Sequence, residues 1–221
     1  MFDLLKKLVD FIIHIDRHLA EIIASYGLWT YGVLFLIIFA ETGLVVMPLL
    51  PGDSLLFAAG AFCTKPETGL NVHLMAGLLF VAAFLGDTLN YWVGRKIGPA
   101  VFKREDSVWL RKKHLDKAHA FFEKYGGRAV ILARFVPIVR TFVPFIAGVG
   151  SMTYPRFMAY NLIGGFVWIY FFVYAGFFFG NQPFVQKNFT LVILDIIILS
   201  VVPIVVEFIR EWRKSRIAPA A

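Results

Sequence analysis

The sequence predicts an all-α, polytopic membrane protein with four full spans and two opposed re-entrant helical hairpins. The arrangement is a pseudo-inverted repeat with amphipathic surface helices. Three observations carry this expectation. The chain of 221 residues is 59% apolar and only 17% charged, whereas soluble domains average about 45–50% and about 25%. The stretch 157–186 contains no Asp, Glu, Lys or Arg, and about 20 such residues suffice to span hydrocarbon. Finally, two apolar stretches, 44–63 and 129–150, are punctuated by Pro, Gly and charged residues, which a straight spanning helix tolerates poorly.

The elements follow in order, all within one membrane domain. Residues 1–24 place Leu4, Leu5, Leu8, Phe11, Ile12, Ile15 and Leu19 at helical spacing, with Lys6, Lys7, Asp10 and Arg17 on other faces. That pattern is an amphipathic interfacial helix. The first apolar span is 27–43, ending beside Glu41. Pro48, Pro51, Gly52, Asp53 and Gly60 then mark 44–63 as the first hairpin, since non-helical backbone at membrane depth survives where protein or a cavity covers it. A polar loop, 64–73, leads to the span 74–94, which Asp87 and Asn90 interrupt. Residues 95–128 are rich in Lys and Arg around a stripe of Leu110, Leu115, Ala118, Phe121 and Phe122, as expected of a helix lying on anionic lipid heads. Arg134, Pro137, Arg140, Pro144 and Gly148 define 129–150 as the second hairpin. The last two spans are 156–180 and 189–209, before a basic C-terminus.

Orientation follows from the basic residues. Placing 95–128 and both termini in the cytoplasm leaves the loops 64–73 and 181–188 outside with one basic residue each, Lys65 and Lys187. The first hairpin then enters from outside and the second from inside. Ala59-Gly60 before a span ending Gly94-x-x-x-Gly98 is matched by Ala147-Gly148 before one ending Gly176-x-x-x-Gly180. Transporters often bind substrate where two such broken elements meet near the midplane.

The chemistry is expected from ionisable residues at membrane depth, which cost roughly 2.5–3.5 kcal/mol each to insert. They are Glu41, Asp53, Asp87, Arg134 and Arg140. One function for the arginines is purely structural, as neutralising partners that lock the hairpins together. The alternative is a substrate or proton pathway. Guanidinium forks suit the oxygens of a phosphate, and a helix broken at Pro137 or Pro144 would add free backbone N–H donors. Glu41 and Asp53, one on each limb of the first hairpin, suit proton coupling, because intramembrane acids form proton relays. Asp87 and Asn90, three residues apart, share a helix face and are expected to line the same cavity. Asp195 lies toward the outer end of its span, where solvation is cheaper.

Several function classes are disfavoured. The net charge of +7 belongs to a membrane surface, because no nucleic-acid-binding motif accompanies it. Cys63 is the single cysteine, so no internal disulfide or cysteine metal cluster forms. His14 and His18 stand four apart with nothing nearby to complete a metal site. No metal and no cofactor is expected. Gly52-Asp53-Ser54-Leu55 spells the nucleophile block of a family of soluble esterases, and Asp116-x-x-His119 its Asp/His block. The strand context and the Gly-x-Asn-Asp block are missing, so the match is a decoy and the chain is not expected to be an enzyme.

Phe39-Ala40-Glu41-Thr42-Gly43, Pro51-Gly52-Asp53 and Gly86-Asp87 with Asn90-Tyr91 and Gly94-Arg95 resemble the bacterial DedA family. So does Ala133-Arg134-Phe135-x-Pro137-x-x-Arg140-x-x-x-Pro144-x-x-Ala147-Gly148. The resemblance runs from about 27 to 180 and implies an inner-membrane protein with two re-entrant hairpins that translocates lipid. Undecaprenyl phosphate or a phospholipid would be the substrate, and the proton motive force the drive. The family's functional acids match Glu41 and Asp53, and its functional arginines match Arg134 and Arg140. The expected partners are therefore a membrane lipid and protons, with the phosphate held by the two arginines. Rival expectations are a small-cation/proton antiporter using Glu41, Asp53 and Asp87, a non-transporting structural protein, and a lipid phosphatase. The last lacks a His/Arg/Ser catalytic block.

Overall fold

The computed structural model describes residues 21, 25–44, 52–101, 119–120, 122–150, 152–189 and 191–196. The described residues are helical or connecting, with no strand among them. Seven helices are numbered here: α1 (Thr30–Gly43), α2 (Gly52–Phe62), α3 (Val72–Val101), α4 (Ala129–Leu132), α5 (Pro137–Val149), α6 (Tyr154–Phe179) and α7 (Pro183–Lys187). A 3-10 turn, Gly27–Trp29, leads into α1, and another, Ala133–Phe135, extends α4.

Two helices are long and apolar enough to cross a membrane. Val72–Ile97 and Tyr154–Phe179 each provide 26 residues, about 39 Å of helix against a hydrocarbon core of about 30 Å. Phe166, Phe171, Phe178 and Phe179 of α6 are exposed, as are Leu36 of α1 and Leu85 of α3. Large apolar side chains on so many outer faces fit a lipid environment better than water.

Each of the two predicted irregular stretches contains a break. Helix α1 ends at Leu44, whose backbone is extended (φ −98°, ψ 112°), and α2 starts at Gly52. The turn Ala133–Phe135 ends at Val136, also extended (φ −123°, ψ 98°), and α5 starts at Pro137. Pro137 itself enforces the second break, because a proline disfavours helical backbone in the residue before it. Pro144 lies inside α5 and does not interrupt it, so of the two places offered for the break it falls at Pro137. Asp87 and Asn90 do not interrupt α3 either. That helix runs on to Val101, into the segment expected to be a surface helix. The expected helix over 1–24, with His14 and His18, lies outside the described residues except for Glu21. So do residues 102–118, residues 45–51 of the expected first hairpin, and the final span beyond 196.

Packing is reciprocal between the two parts of the chain. Helix α1 packs on α3, and α4 on α6, so each segment before a break lies on the long helix that follows it. After the breaks the partners exchange: α2 packs on α6, and α5 on α3. Glycines make both exchanges possible. A Cβ on Gly60 would strike the Val173 carbonyl and one on Gly176 the Phe57 carbonyl. A Cβ on Gly94 would strike the Phe145 carbonyl and one on Gly148 the Tyr91 carbonyl. Small residues allow this backbone-to-backbone approach, which is how helices gain packing in lipid. The four glycines are among the six that the repeated spacing singles out in the sequence.

The buried apolar residues form two clusters. One includes Leu34, Ile38, Leu56, Met75, Leu79, Trp168 and Val173; the other includes Tyr91, Val130, Val143, Phe145 and Phe157. Along α3 the first cluster ends at Ala83 and the second takes Tyr91. Along α6 the second takes Phe157 and the first resumes at Trp168. Asp87 and Asn161 fall in those gaps.

Candidate functional site

A polar layer fills the space between the two clusters, built from both breaks and both long helices. Glu41 stands near the end of α1, before the first break, and Asp53 in the first turn of α2, after it. Arg134 lies before the second break and Arg140 in the first turn of α5 beyond it. The long helices contribute Asp87 and Asn90 from α3, and Asn161 and Trp168 from α6. Glu41 is 1% exposed, Asp87 and Arg134 4% each, and Asp53 8%. Groups this far from water need partners.

The partners form two nodes. In the first, Arg140 Nη2 pairs with Glu41 Oε1, and Arg140 Nη1 donates to Asp53 Oδ1 at 3.2 Å. One guanidinium therefore joins the ends of α1 and α2 across the first break. Trp168 Nε1 donates to the same Asp53 Oδ1 at 2.8 Å. In the second node, Arg134 Nη2 pairs with Asp87 Oδ2 and donates to Asn161 Oδ1. Asn161 is held in turn by donating from Nδ2 to the Phe84 carbonyl at 3.2 Å. The Trp168 ring faces both nodes, with its centroid 4.9 Å from Cζ of Arg140 and 5.7 Å from Cζ of Arg134. Both are within cation–π range.

The six residues expected from the sequence thus occupy one layer, in different roles. Glu41, Asp53 and Arg140 share one node, and Asp87 joins Arg134 in the other. Asn90 does not share a partner with Asp87. Its Nδ2 donates to the Thr42 carbonyl at 3.3 Å and the Thr141 carbonyl at 2.7 Å, tying the end of α1 to α5. Asp195 is exposed and sits in neither node. The esterase-like residues do not form a catalytic arrangement: Ser54 is fully buried in α2, while His119 is exposed and lies 3.7 Å from exposed Glu123. Among the described residues, no group of three or more His, Cys, Asp or Glu is placed to hold a metal.

Four contributors escaped the sequence reading. Asn161, Gly164, Gly165 and Trp168 form one stripe of α6 at helical spacing. A Cβ on Gly164 would come within 3.2 Å of Arg134 Cδ, and one on Gly165 within 3.4 Å of its Nη2. The glycines open the groove in which that side chain lies. Gly52 has a similar role in the other node, where a Cβ would strike the Glu41 carboxylate and Arg140 Nη2. The legible signal was the i, i+3, i+4, i+7 spacing of a polar, small and aromatic set within an uncharged run.

Comparison with known proteins was decisive for the family. The VTT domain model matches residues 50–178, which contain Asp53, both long helices and both arginines. The chain belongs to the DedA family of VTT-domain membrane proteins. It is 55% identical over 213 residues to Protein DedA of Escherichia coli K12, covering 96% of this chain and 97% of that protein. It is 47% identical over 186 residues to the uncharacterized membrane protein Rv0364 of Mycobacterium tuberculosis H37Rv, covering 84% and 82%. It is 34% identical over 189 residues to the inner membrane protein YqjA of Escherichia coli K12, covering 84% and 85%. No solved structure matches the chain. These relatives place the DedA-family chain among bacterial membrane proteins.

Three features of the layer bear on what it can do. With all groups ionised, three carboxylates (Glu41, Asp53, Asp87) face two guanidiniums (Arg134, Arg140), a formal charge of −1. Glu41 Oε2, Asn90 Oδ1 and Arg134 Nε are buried without a protein partner. Finally, both arginines are held by carboxylates through their Nη atoms, so an anion that takes an Nη donor displaces a carboxylate.

Proposed function

We propose that the chain translocates a lipid phosphate, undecaprenyl phosphate or a phospholipid, across the bacterial inner membrane, and that proton movement drives it. The observation that carries this reading is the buried layer of two guanidiniums and three carboxylates at the meeting of two broken segments. Ion pairs fully removed from water are not an economical way to hold helices together. Arranged at two breaks, they instead form a switchable binding site.

The chemistry follows from the pairing. Protonation of Glu41 or Asp53 removes one of the two negative charges that hold Arg140, and the N–H donor it releases takes a phosphate oxygen. A proton on the carboxyl and an anion on the guanidinium replace one ion pair by another arrangement of the same net charge, so the buried layer stays balanced. Glu41 Oε2, which has no protein partner, is the oxygen at which a proton adds without breaking an existing bond. Arg134, held by Asp87 and Asn161, is the second anchor for the phosphate. The hydrocarbon tail stays in lipid along the exposed phenylalanines of α6. Binding drives the exchange of access only because the open and closed states differ in affinity for proton and phosphate.

In this reading the chain makes four full spans, with both termini in the cytoplasm. Residues 44–63 and 129–150 are re-entrant hairpins entering from opposite sides, a relation that the reciprocal packing of α2 and α5 supports. The protein acts as a transporter and not as an enzyme, and needs neither metal nor cofactor.

Purified protein in proteoliposomes, supplied with labelled undecaprenyl phosphate or phospholipid, tests the reading with and without a pH gradient. Translocation that the gradient accelerates, and that Arg140→Ala and Asp53→Asn abolish, is the expected result. Well-folded protein that moves no lipid at any gradient refutes it. The surplus carboxylate also suits a small-cation/proton antiporter, which lipid-independent cation flux in the same vesicles would reveal.

A further inference from the structure

We propose that Trp168 is a positioning residue that couples the two arginine nodes, so that a change of charge at one is transmitted to the other. The inference rests on the transport reading for its functional meaning and on geometry for its mechanism. Trp168 is 1% exposed, and its indole N–H is spent on Asp53 Oδ1, the oxygen that also accepts from Arg140. Its ring is the surface against which both guanidiniums lie.

The coupling has a direct physical cause. When Asp53 gains a proton, the indole N–H faces a weaker acceptor. A buried donor cannot be left unsatisfied without cost, so the ring must shift to follow its partner. Arg134 lies against that ring, with its Nε lacking a protein partner and its Cδ and Nε close to Gly164. Its partners in the second node are Asp87 and Asn161, so a shift of the ring bears on the Arg134–Asp87 pair. The charged groups facing this axis come from every packed element: Glu41 from α1, Asp53 from α2, Asp87 from α3, Arg134 from the turn before the second break and Arg140 from α5. On α6, Trp168 touches members of both nodes, whereas Asn161 bonds to Arg134 of the second.

A ring that merely fills space would do none of this, and two measurements separate the cases. In the first, a chain keeping Trp168 as its only tryptophan (Trp29, Trp92, Trp109 and Trp212 replaced by Phe) is titrated in detergent and its emission recorded. The emission shifts with pH, Asp53→Asn removes the shift, and Asp87→Asn in the other node moves its midpoint by about one pH unit. Emission that ignores pH, or a midpoint that Asp87→Asn leaves in place, overturns the coupling. In the second, Trp168→Phe keeps an aromatic ring but deletes the N–H together with part of the ring face. In proteoliposomes carrying labelled undecaprenyl phosphate it lowers the rate about ten-fold and displaces the pH profile. A Trp168→Phe protein with the rate and profile of the unsubstituted chain overturns the positioning role. If the unsubstituted chain itself moves no lipid, the transport reading falls, and the emission titration still decides whether the nodes are coupled.

Discussion

Removing Asp87 is the most informative single perturbation of the second node. The Arg134 and Asp87 side chains are 4% and 6% exposed, so water cannot replace a lost partner. Asp87→Ala leaves a buried guanidinium with Asn161 Oδ1 and the Trp168 ring as its neighbours. Breaking a buried pair from one side costs about 3–5 kcal/mol. For a chain of this length each kcal/mol lowers the midpoint by about 2–4 °C, so the loss is about 6–20 °C. Arg134→Ala strands the carboxylate and has a similar cost. The double variant has no stranded charge, so its loss is smaller than the two single losses added, by about 1–3 kcal/mol. The assay is built into the chain: Cys63 is its one cysteine and is only partly exposed, so a thiol-reactive dye reports unfolding on heating. Strictly additive losses, or Asp87→Ala protein that unfolds with the unsubstituted chain, would refute the argument that this pair matters as a pair.

Other expectations follow from the same contacts. Gly148→Ala puts a methyl group into the Tyr91 carbonyl and should destabilise by about 1–3 kcal/mol, read as an earlier Cys63 transition. Gly77→Ala in α3 meets nothing within 4 Å; it should leave that transition in place or stabilise by up to about 1 kcal/mol. Gly52→Ala pushes on the Glu41 carboxylate and Arg140 Nη2, so translocation should be lost while the protein still accumulates in the membrane, scored by transport beside immunoblotting. His119→Ala removes only an exposed contact to Glu123 and should change thermal stability by less than about 0.5 kcal/mol.

The sequence disclosed the site better than it disclosed the boundaries. Glu41, Asp53, Arg134 and Arg140 were legible because a charge within an apolar run is costly and must have a reason. The break at Val136 was legible from Pro137. The continuity of α3 was not, because Asp87 and Asn90 look like interruptions until Arg134 and the carbonyls of Thr42 and Thr141 are seen to satisfy them. The choice between Pro137 and Pro144 was not legible either, since a proline within a helix removes one hydrogen bond but need not end it when neighbouring packing holds the backbone. The α6 stripe was hidden for the opposite reason. Asn161 and Trp168 carry no charge, so hydropathy scores their segment as a plain span, although it supplies a partner to each arginine.

The exchange of partners across the glycine contacts has a consequence for motion. Backbone touching backbone at Gly60 and Gly176 leaves no side chain whose rotation could loosen that joint, and Gly94 and Gly148 make an equivalent one. Any rearrangement that preserves these joints must carry α2 with α6 as one body and α3 with α5 as the other. Each body draws one helix from each half of the chain, so the halves of the sequence are not the parts that move. Trp168 and Asp53 ride together on the first body, while Asp87 and Arg140 ride on the second. The 3.2 Å bond from Arg140 to Asp53 therefore lies across the parting line, as does the 3.2 Å bond from Asn161 to the Phe84 carbonyl, and these latches must open before the two bodies can slide.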